Sequence, residues 1–181
     1  MLMSTTAPAL DPRYPIGDFH YDGPYSEAQR ARLIQDIADL PKNVRAAVAG
    51  LSDAQIDTPY RDGGWSVRQT VHHIADSHMN SFIRFRLALT ETNPTIKPYD
   101  EKAWANLADM KLPAEVSLSL IDPLHHRLAT LLRSFKEEDW SRTLFHPERG
   151  EITCDYNLAL YSWHSKHHVA HITELRKRNG W

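Results

Sequence analysis

Cysteine is almost absent from this chain. Cys154 stands alone, which rules out an internal disulfide and fits a reducing compartment. Its neighbours Thr153 and Asp155 offer no cation to stabilise a thiolate, so it reads as a structural residue rather than a nucleophile. Long apolar runs are missing too: none reaches the ~18 residues that a membrane span requires. The opening stretch, MLMSTTAPALDPRYPIGDF, lacks the basic and apolar regions of a secretory signal. No charge of one sign dominates. With 21 Lys and Arg against 23 Asp and Glu, the net charge of −2 gives no footprint for nucleic acid or an anionic membrane. The one basic run, Arg176-Lys177-Arg178, precedes Gly180 and reads as a helix end, where cations complement the dipole and glycine supplies a left-handed cap. Glycines are few, at seven, and no repeat or low-complexity tract is present. What is left is a cytoplasmic globular protein, long enough at 181 residues for one well-buried core.

Histidine is what the sequence has in excess. Of 11 histidines, four fall in Tyr161–Ile172, YSWHSKHHVAHI. On a helix turning ~100° per residue, His168 lies roughly +40° and His171 roughly −20° from His164. Leu160, Ile172 and Leu175 share that side, while Ser162, Ser165, Lys166 and Thr173 fall behind it. Three imidazoles therefore sit on the face the leucines mark as buried, with His167 on the flank. Buried imidazoles need polar partners, and a metal ion is the partner that takes several neutral ones together.

The rest of the chain supplies helices to face this one. Residues 1 to 25 contain four prolines and no sustained period, predicting an extended arm packed on the body, with its first few residues disordered. Residues 26–181 form the domain proper. Ser26 and Gln29 make a capping box for a helix whose stripe is Ile34, Ile37, Ala38 and Val44, bent at Pro41. Ser52 and Gln55 open a short turn. Ser66 and Gln69 open a second long helix, with Val67, Val71, Ile74, Phe82, Phe85 and Leu89 on its apolar face. Its other face carries His73, Ser77, Asn80 and Arg84 on one line, with Gln69 and Asp76 beside it. That stripe is short-chained and amide-rich where solvated faces carry Lys and Glu, so it suits the wall of a polar pocket as well as a solvated face. His72 and His78 lie off it. A third helix runs from about Ala114 to Phe135, with Pro123 set to bend or split it. His125 and His126 read as surface or core residues ahead of spare ligands. Thr143 to Thr153 reads as a small hairpin or irregular loop turning at Gly150, and the last helix begins near Asp155.

Four long helices with short connections predict an all-α antiparallel bundle, in which metal sites are built from facing helices. His164 and His168, one turn apart, can clamp one ion. His73 is the best third ligand, because its face is polar and otherwise unexplained. His171 is the other candidate, as a ligand or as a proton-transfer group.

At GGWSVRQTVHHIADSHMNSFIRFRLALTE, PTIKPYDEKAW, SLSLIDPLHHR and YSWHSKHHVAHITELRKRNGW the chain resembles the DinB/YfiT-like superfamily, from about Tyr14 to Trp181. The resemblance implies a four-helix bundle of up-down-down-up arrangement and a homodimer. It also implies a ligand trio on His73, His164 and His168, with His171 standing where many relatives carry glutamine. The implied cofactor is one divalent ion per chain, zinc or nickel, in a site with an open position. Two chemistries follow from it: transfer of a low-molecular-weight thiol of the bacillithiol kind to a small electrophile, or hydrolysis by activated water. A non-catalytic metal-binding stress protein is the reading from another class. On the polar stripe, Asp76 is placed to orient a ligand imidazole or take a proton. Asn80 and Arg84 are expected to hold the thiol cofactor, Arg84 through a carboxylate.

Overall fold

Ser-x-x-Gln boxes begin helices at all three places the sequence puts them. The Ser26 hydroxyl accepts from the Gln29 N–H while the Ser26 N–H donates to the Gln29 side chain, and Ser52–Gln55 and Ser66–Gln69 repeat the exchange. They open α1 (Glu27–Val48), α2 (Asp53–Ile56) and α3 (Val67–Thr90). There follow α4 (Glu101–Trp104), a 3-10 turn at Ala108–Lys111, α5 (Ala114–Arg133) and a 3-10 turn at Glu137–Ser141. Strands β1 (Thr143–His146) and β2 (Gly150–Thr153) then pair antiparallel, Thr143 opposite Thr153, and lead into α6 (Cys154–Asn179). Gly150 and Gly180 take φ of 77° and 68°, a left-handed turn and a left-handed helix cap. This computed structural model describes residues 11–181, so the disorder expected for the first few residues lies outside the described part.

Neither proline splits its helix. α1 runs through Pro41 and α5 through Pro123 as single elements. A proline forfeits one backbone hydrogen bond, and here the buried stripes on both sides of it hold the two halves in one helix. Pro41 itself is buried among them.

Side-chain contacts fix the helix directions. His72 meets Ser117 near the starts of α3 and α5, and Phe85, late in α3, meets Phe135 just past the end of α5, so these two run parallel. Arg30 meets Asp155 and Arg176 meets Ala47, so α1 and α6 also run parallel. Ser81–Asn157 with His73–His164 makes α3 antiparallel to α6, and Arg45–Glu115 with Arg133–Gln35 makes α1 antiparallel to α5. The arrangement is up-down-down-up. Because α3 and α5 are parallel neighbours, residues 91–113 must carry the chain back along the bundle, and that return passes over the side where α3 and α6 meet.

The core divides in two. One apolar cluster includes Ile37, Phe82, Phe85, Leu128, Leu132, Leu144 and Leu158; the other includes Leu40, Val44, Val71, Ile74, Leu118, Ile121 and Ile172. Between them α3, α5 and α6 contribute imidazoles instead of aliphatic side chains. The sequence-based expectation that Ser162 and Ser165 face away from the core is corrected: they are 0% and 2% exposed. The helix α6 has α1 on one side and α3 on the other, so it has two buried faces. Small hydroxyls let α1 close in, Ser162 donating to Asp36 at 2.6 Å and Ser165 back to the Tyr161 carbonyl at 2.7 Å.

The described part of the arm packs on α6. Phe19 stands edge-on to Tyr156, and the Trp163 indole N–H donates to the Gly17 carbonyl. Asp155, in the first turn of α6, gathers the segment: it accepts from the Tyr21 hydroxyl, the Tyr25 N–H and, at 2.7 Å, the Arg30 guanidinium. Arg30 and Asp155 side chains are 6% and 4% exposed. Removing one partner of such a pair strands the other charge. Asp155→Ala is therefore expected to cost about 3–5 kcal/mol in urea unfolding. A loss below about 1 kcal/mol would mean that Glu137, which also accepts from Arg30, suffices alone.

Candidate metal centre

His73 on α3 and His164 and His168 on α6 converge in the middle of the bundle. One ring nitrogen from each lies within 4.8 Å of the other two, and the Nε2 atoms of His73 and His164 are 3.2 Å apart. Two nitrogens bound tetrahedrally to one ion at ~2.0–2.1 Å stand about 3.3 Å apart, so this spacing fits a shared ion. Trp65 packs on the His73 ring at 4.6 Å between centroids. Burial drives all three imidazoles toward the neutral, ligating form: His73 is pushed down to about 4, chiefly by desolvation, and His164 and His168 go well below their ordinary range. His164 is surrounded by protein yet keeps part of its surface on a cavity.

Other histidines sit behind the trio. His78 Nε2 lies 3.1 Å from His164 Nδ1, and His78 Nδ1 lies 2.9 Å from His125 Nε2. His125 Nδ1 donates to the Ile121 carbonyl at 2.7 Å. His78 and His125 are 0% exposed. A second group, His167, His168 and His171, has equally close nitrogens, with His167 and His171 Nε2 atoms 3.0 Å apart. Tyr60 stacks on His171 at 3.9 Å. Burial lowers His167 to about 4 and His171 to about 3. His72 is apart from all of these: it bonds Ser117 at 2.6 Å and the Leu112 carbonyl at 3.0 Å, closing the α3–α5 contact.

The trio opens on a cavity of about 810 Å³. Ser77 and Arg84 line it with His73, as the polar stripe on α3 predicts. Ser77 lies 3.3 Å from His164 Nε2 and donates to the Tyr161 hydroxyl, which also accepts from Arg84 at 3.5 Å. Asp76 and Asn80 are not among the cavity-lining residues. They are half-buried, Asn80 donating to the Asp76 carbonyl. Among the described residues no carboxylate bonds to a trio imidazole. Asp76 is raised to about 6, first by desolvation and then by Asp109. His171 lines the same cavity, contacts His167 and shares His168 with the trio.

Sequence reading missed Tyr99, Tyr161, His78 and His125 as parts of the site. Tyr161 was within reach, since three residues before His164 is one helical turn. His78 faces the seam between α5 and α6, which a wheel drawn for α3 alone does not reveal. Tyr99, whose buried hydroxyl has no partner among the described residues, comes from the aperiodic return segment.

Alanine at His73, His164 or His168 is expected to weaken metal retention at least tenfold in chelator competition. His72→Ala should keep the metal and lose about 1–3 kcal/mol of stability, because Ser117 and Leu112 are left unpaired. Acid provides a separate check. A depressed folded pKa means that the unfolded chain takes up protons first, so the stability it brings is present above about 6.5 and lost as pH falls through the folded value near 4. The urea midpoint of metal-free protein should fall steeply between those limits, and a midpoint unchanged down to pH 5 would contradict buried neutral imidazoles.

The bundle as a whole has relatives among known proteins. The family model described as the DinB superfamily matches residues 37–172. A relative from Bacillus cereus, provisionally named a metal-dependent hydrolase, is 56% identical over 171 residues, covering 94% of this chain and 99% of its own. One from Oceanobacillus iheyensis with a name of the same kind is 52% identical over 172 residues, 95% of this chain and 100% of its own. The solved structure of YfiT from Bacillus subtilis, described provisionally as a metal-dependent hydrolase with an unusual four-helix bundle topology, superposes with a TM-score of 0.92 at 49% identity, over 95% of this chain and 99% of that one. The chain belongs to the DinB superfamily.

Proposed function

We propose that the protein is an enzyme that transfers a low-molecular-weight thiol to a small electrophile, with one divalent ion, zinc or nickel, held by His73, His164 and His168. The observation that carries this is the absence of a carboxylate bonded to the trio among the described residues. A bound ion supplies a Lewis-acid position at which a thiol ionises near neutral pH. Such a thiol, with an ordinary pKa near 8.5, needs no protein base beside it. Water starts near 15.7 and gains more from a carboxylate held at the trio, whereas the carboxylates of this cavity, Glu101 and Glu148, stand on its wall without bonding a trio ring. The nearest side-chain hydroxyls, Ser77 and Tyr161, are poor bases, and burial raises the Tyr161 phenol further.

The cavity wall fits a charged thiol of cofactor size. Arg84 and Arg149 stand on it with Tyr99, and guanidinium groups suit carboxylates bidentately. Trp65 and Tyr60, packed on His73 and His171, narrow the approach of water. The second reading is hydrolysis, favoured by the names of the Bacillus and Oceanobacillus relatives.

A homodimer fits the exposure of Leu112, just ahead of α5, and of Val116 and Leu120, one turn apart near its start. A sedimentation mass of one chain at micromolar concentration would remove that part.

Metal-loaded protein should consume a haloalkane or epoxide only when a thiol is supplied, and Arg84→Ala should raise KM for a carboxylate-bearing thiol about tenfold with less effect on kcat. Turnover of an ester or amide panel without thiol would decide for hydrolysis. No turnover in either panel would leave a metal-binding protein.

A further inference from the structure

We infer that His78 and His125 are positioning residues that fix the proton of His164 on Nδ1, and so keep its Nε2 free for the ion, through an imidazole chain anchored at the Ile121 carbonyl. The inference rests on His164 being a ligand, but not on which reaction follows.

The direction of the chain follows from one acceptor. A carbonyl oxygen cannot donate, so the 2.7 Å contact with Ile121 requires a proton on His125 Nδ1. His125 is fully buried with no carboxylate against it, which favours one proton on the ring, and its Nε2 is then an acceptor. His78 Nδ1, 2.9 Å away, must therefore donate, leaving its own Nε2 bare. That atom lies 3.1 Å from His164 Nδ1, which donates in turn. His164 Nε2 is left with its lone pair, 3.2 Å from His73 Nε2 where the trio converges. Reversing any one bond would put two protons or two lone pairs face to face. One carbonyl on α5 thus selects the ligating tautomer of a ring on α6, through α3.

The chain also fixes ring orientation. Metal-bound histidines ordinarily hand their other N–H to a carboxylate or carbonyl, which sets tautomer and direction. His164 has neither, and His78 takes that place. The carbonyl is supplied two rings further on. A helical carbonyl has two lone pairs, so the Ile121 oxygen four residues back can take the His125 ring N–H alongside its place in the helix. Substituting His125 would release the His78 tautomer, and His78 could then donate from Nε2 and drive the His164 proton to Nε2, where it blocks coordination.

Two measurements test this without turnover. Long-range proton–nitrogen spectra of metal-free protein should place the protons of His125, His78 and His164 all on Nδ1. A His164 protonated on Nε2 in the folded parent would overturn the inference outright. Chelator competition with zinc alone should show His78→Leu and His125→Leu weakened on the order of 10–100-fold. His78→Gln, whose amide can accept from His164 and donate to His125, should recover most of the loss. Folded leucine variants with parental affinity would refute the chain. If those variants fail to fold, the parent's spectrum still decides. Failure of the thiol-transfer reading would change neither measurement.

Discussion

A buried imidazole has two nitrogens, and both must be accounted for. That requirement governs the middle of this bundle. Apolar clusters on either side supply the burial, and the layer between them consists of rings that each need partners. His72 finds a hydroxyl and a carbonyl, and His125 a carbonyl and His78. His168 bonds nothing, and its buried Nδ1 has no partner among the described residues, as with Nδ1 of His167 and His171. An unpaired buried polar atom costs about 1–3 kcal/mol, a charge ordinary packing does not bear without reason. These three unpaired imidazole nitrogens all belong to the last helix, on residues that line the cavity. The protein is thus saturated where it is structural and unsaturated where a ligand would enter.

The topology makes that separation possible. Parallel α3 and α5 bring His78 level with His125 and His72 level with Ser117, so the rear of the layer closes on protein. Antiparallel α3 and α6 make His73 face the His164–His168 pair, and residues 91–113 return over that side with Tyr99 and α4. In a simple up-down-up-down bundle, successive helices would join through short loops and the return segment would not exist. The cavity wall is a product of the connection that the parallel pair demands.

Much of this was legible in residues taken one helix at a time. Capping boxes placed three helix starts, and of the His73–Ser77–Asn80–Arg84 line all but Asn80 form a wall that is buried in the fold. The His164–His168 spacing marked the clamp. What failed was what depends on two helices at once. Ser162 and Ser165 read as a back face because a wheel has one inside, whereas α6 lies between α1 and α3. Asp76 shared the angular sector of His73 but points toward Asp109 and the 3-10 turn, a neighbour that no periodicity announces. His78 looked misplaced for the same reason, since its direction has meaning only once α5 and α6 are both present. Identity of elements is a local property. Which polar residue faces which other is not.

Neutral imidazoles held neutral by burial have a further consequence. Coordination at an exposed histidine cluster competes with protons near pH 6.5, but here desolvation has already removed that competitor before an ion arrives. The donor set therefore contributes readiness rather than choice, since three nitrogens accept zinc, nickel, cobalt or iron in the order of their general affinities. Selection of what binds beside the ion has to come from elsewhere on the cavity. The groups able to exercise it are Arg84 and Arg149, together with the unpaired Tyr99 hydroxyl. Arg84 is tied to Tyr161, and Tyr161 to Ser77 beside His164, so a carboxylate drawn to Arg84 would be registered at the trio through two hydroxyls. Recognition and reactive position would in this way be built on about two turns of α6 and three turns of α3, and a substrate too short to reach Arg84 would forgo the link between them.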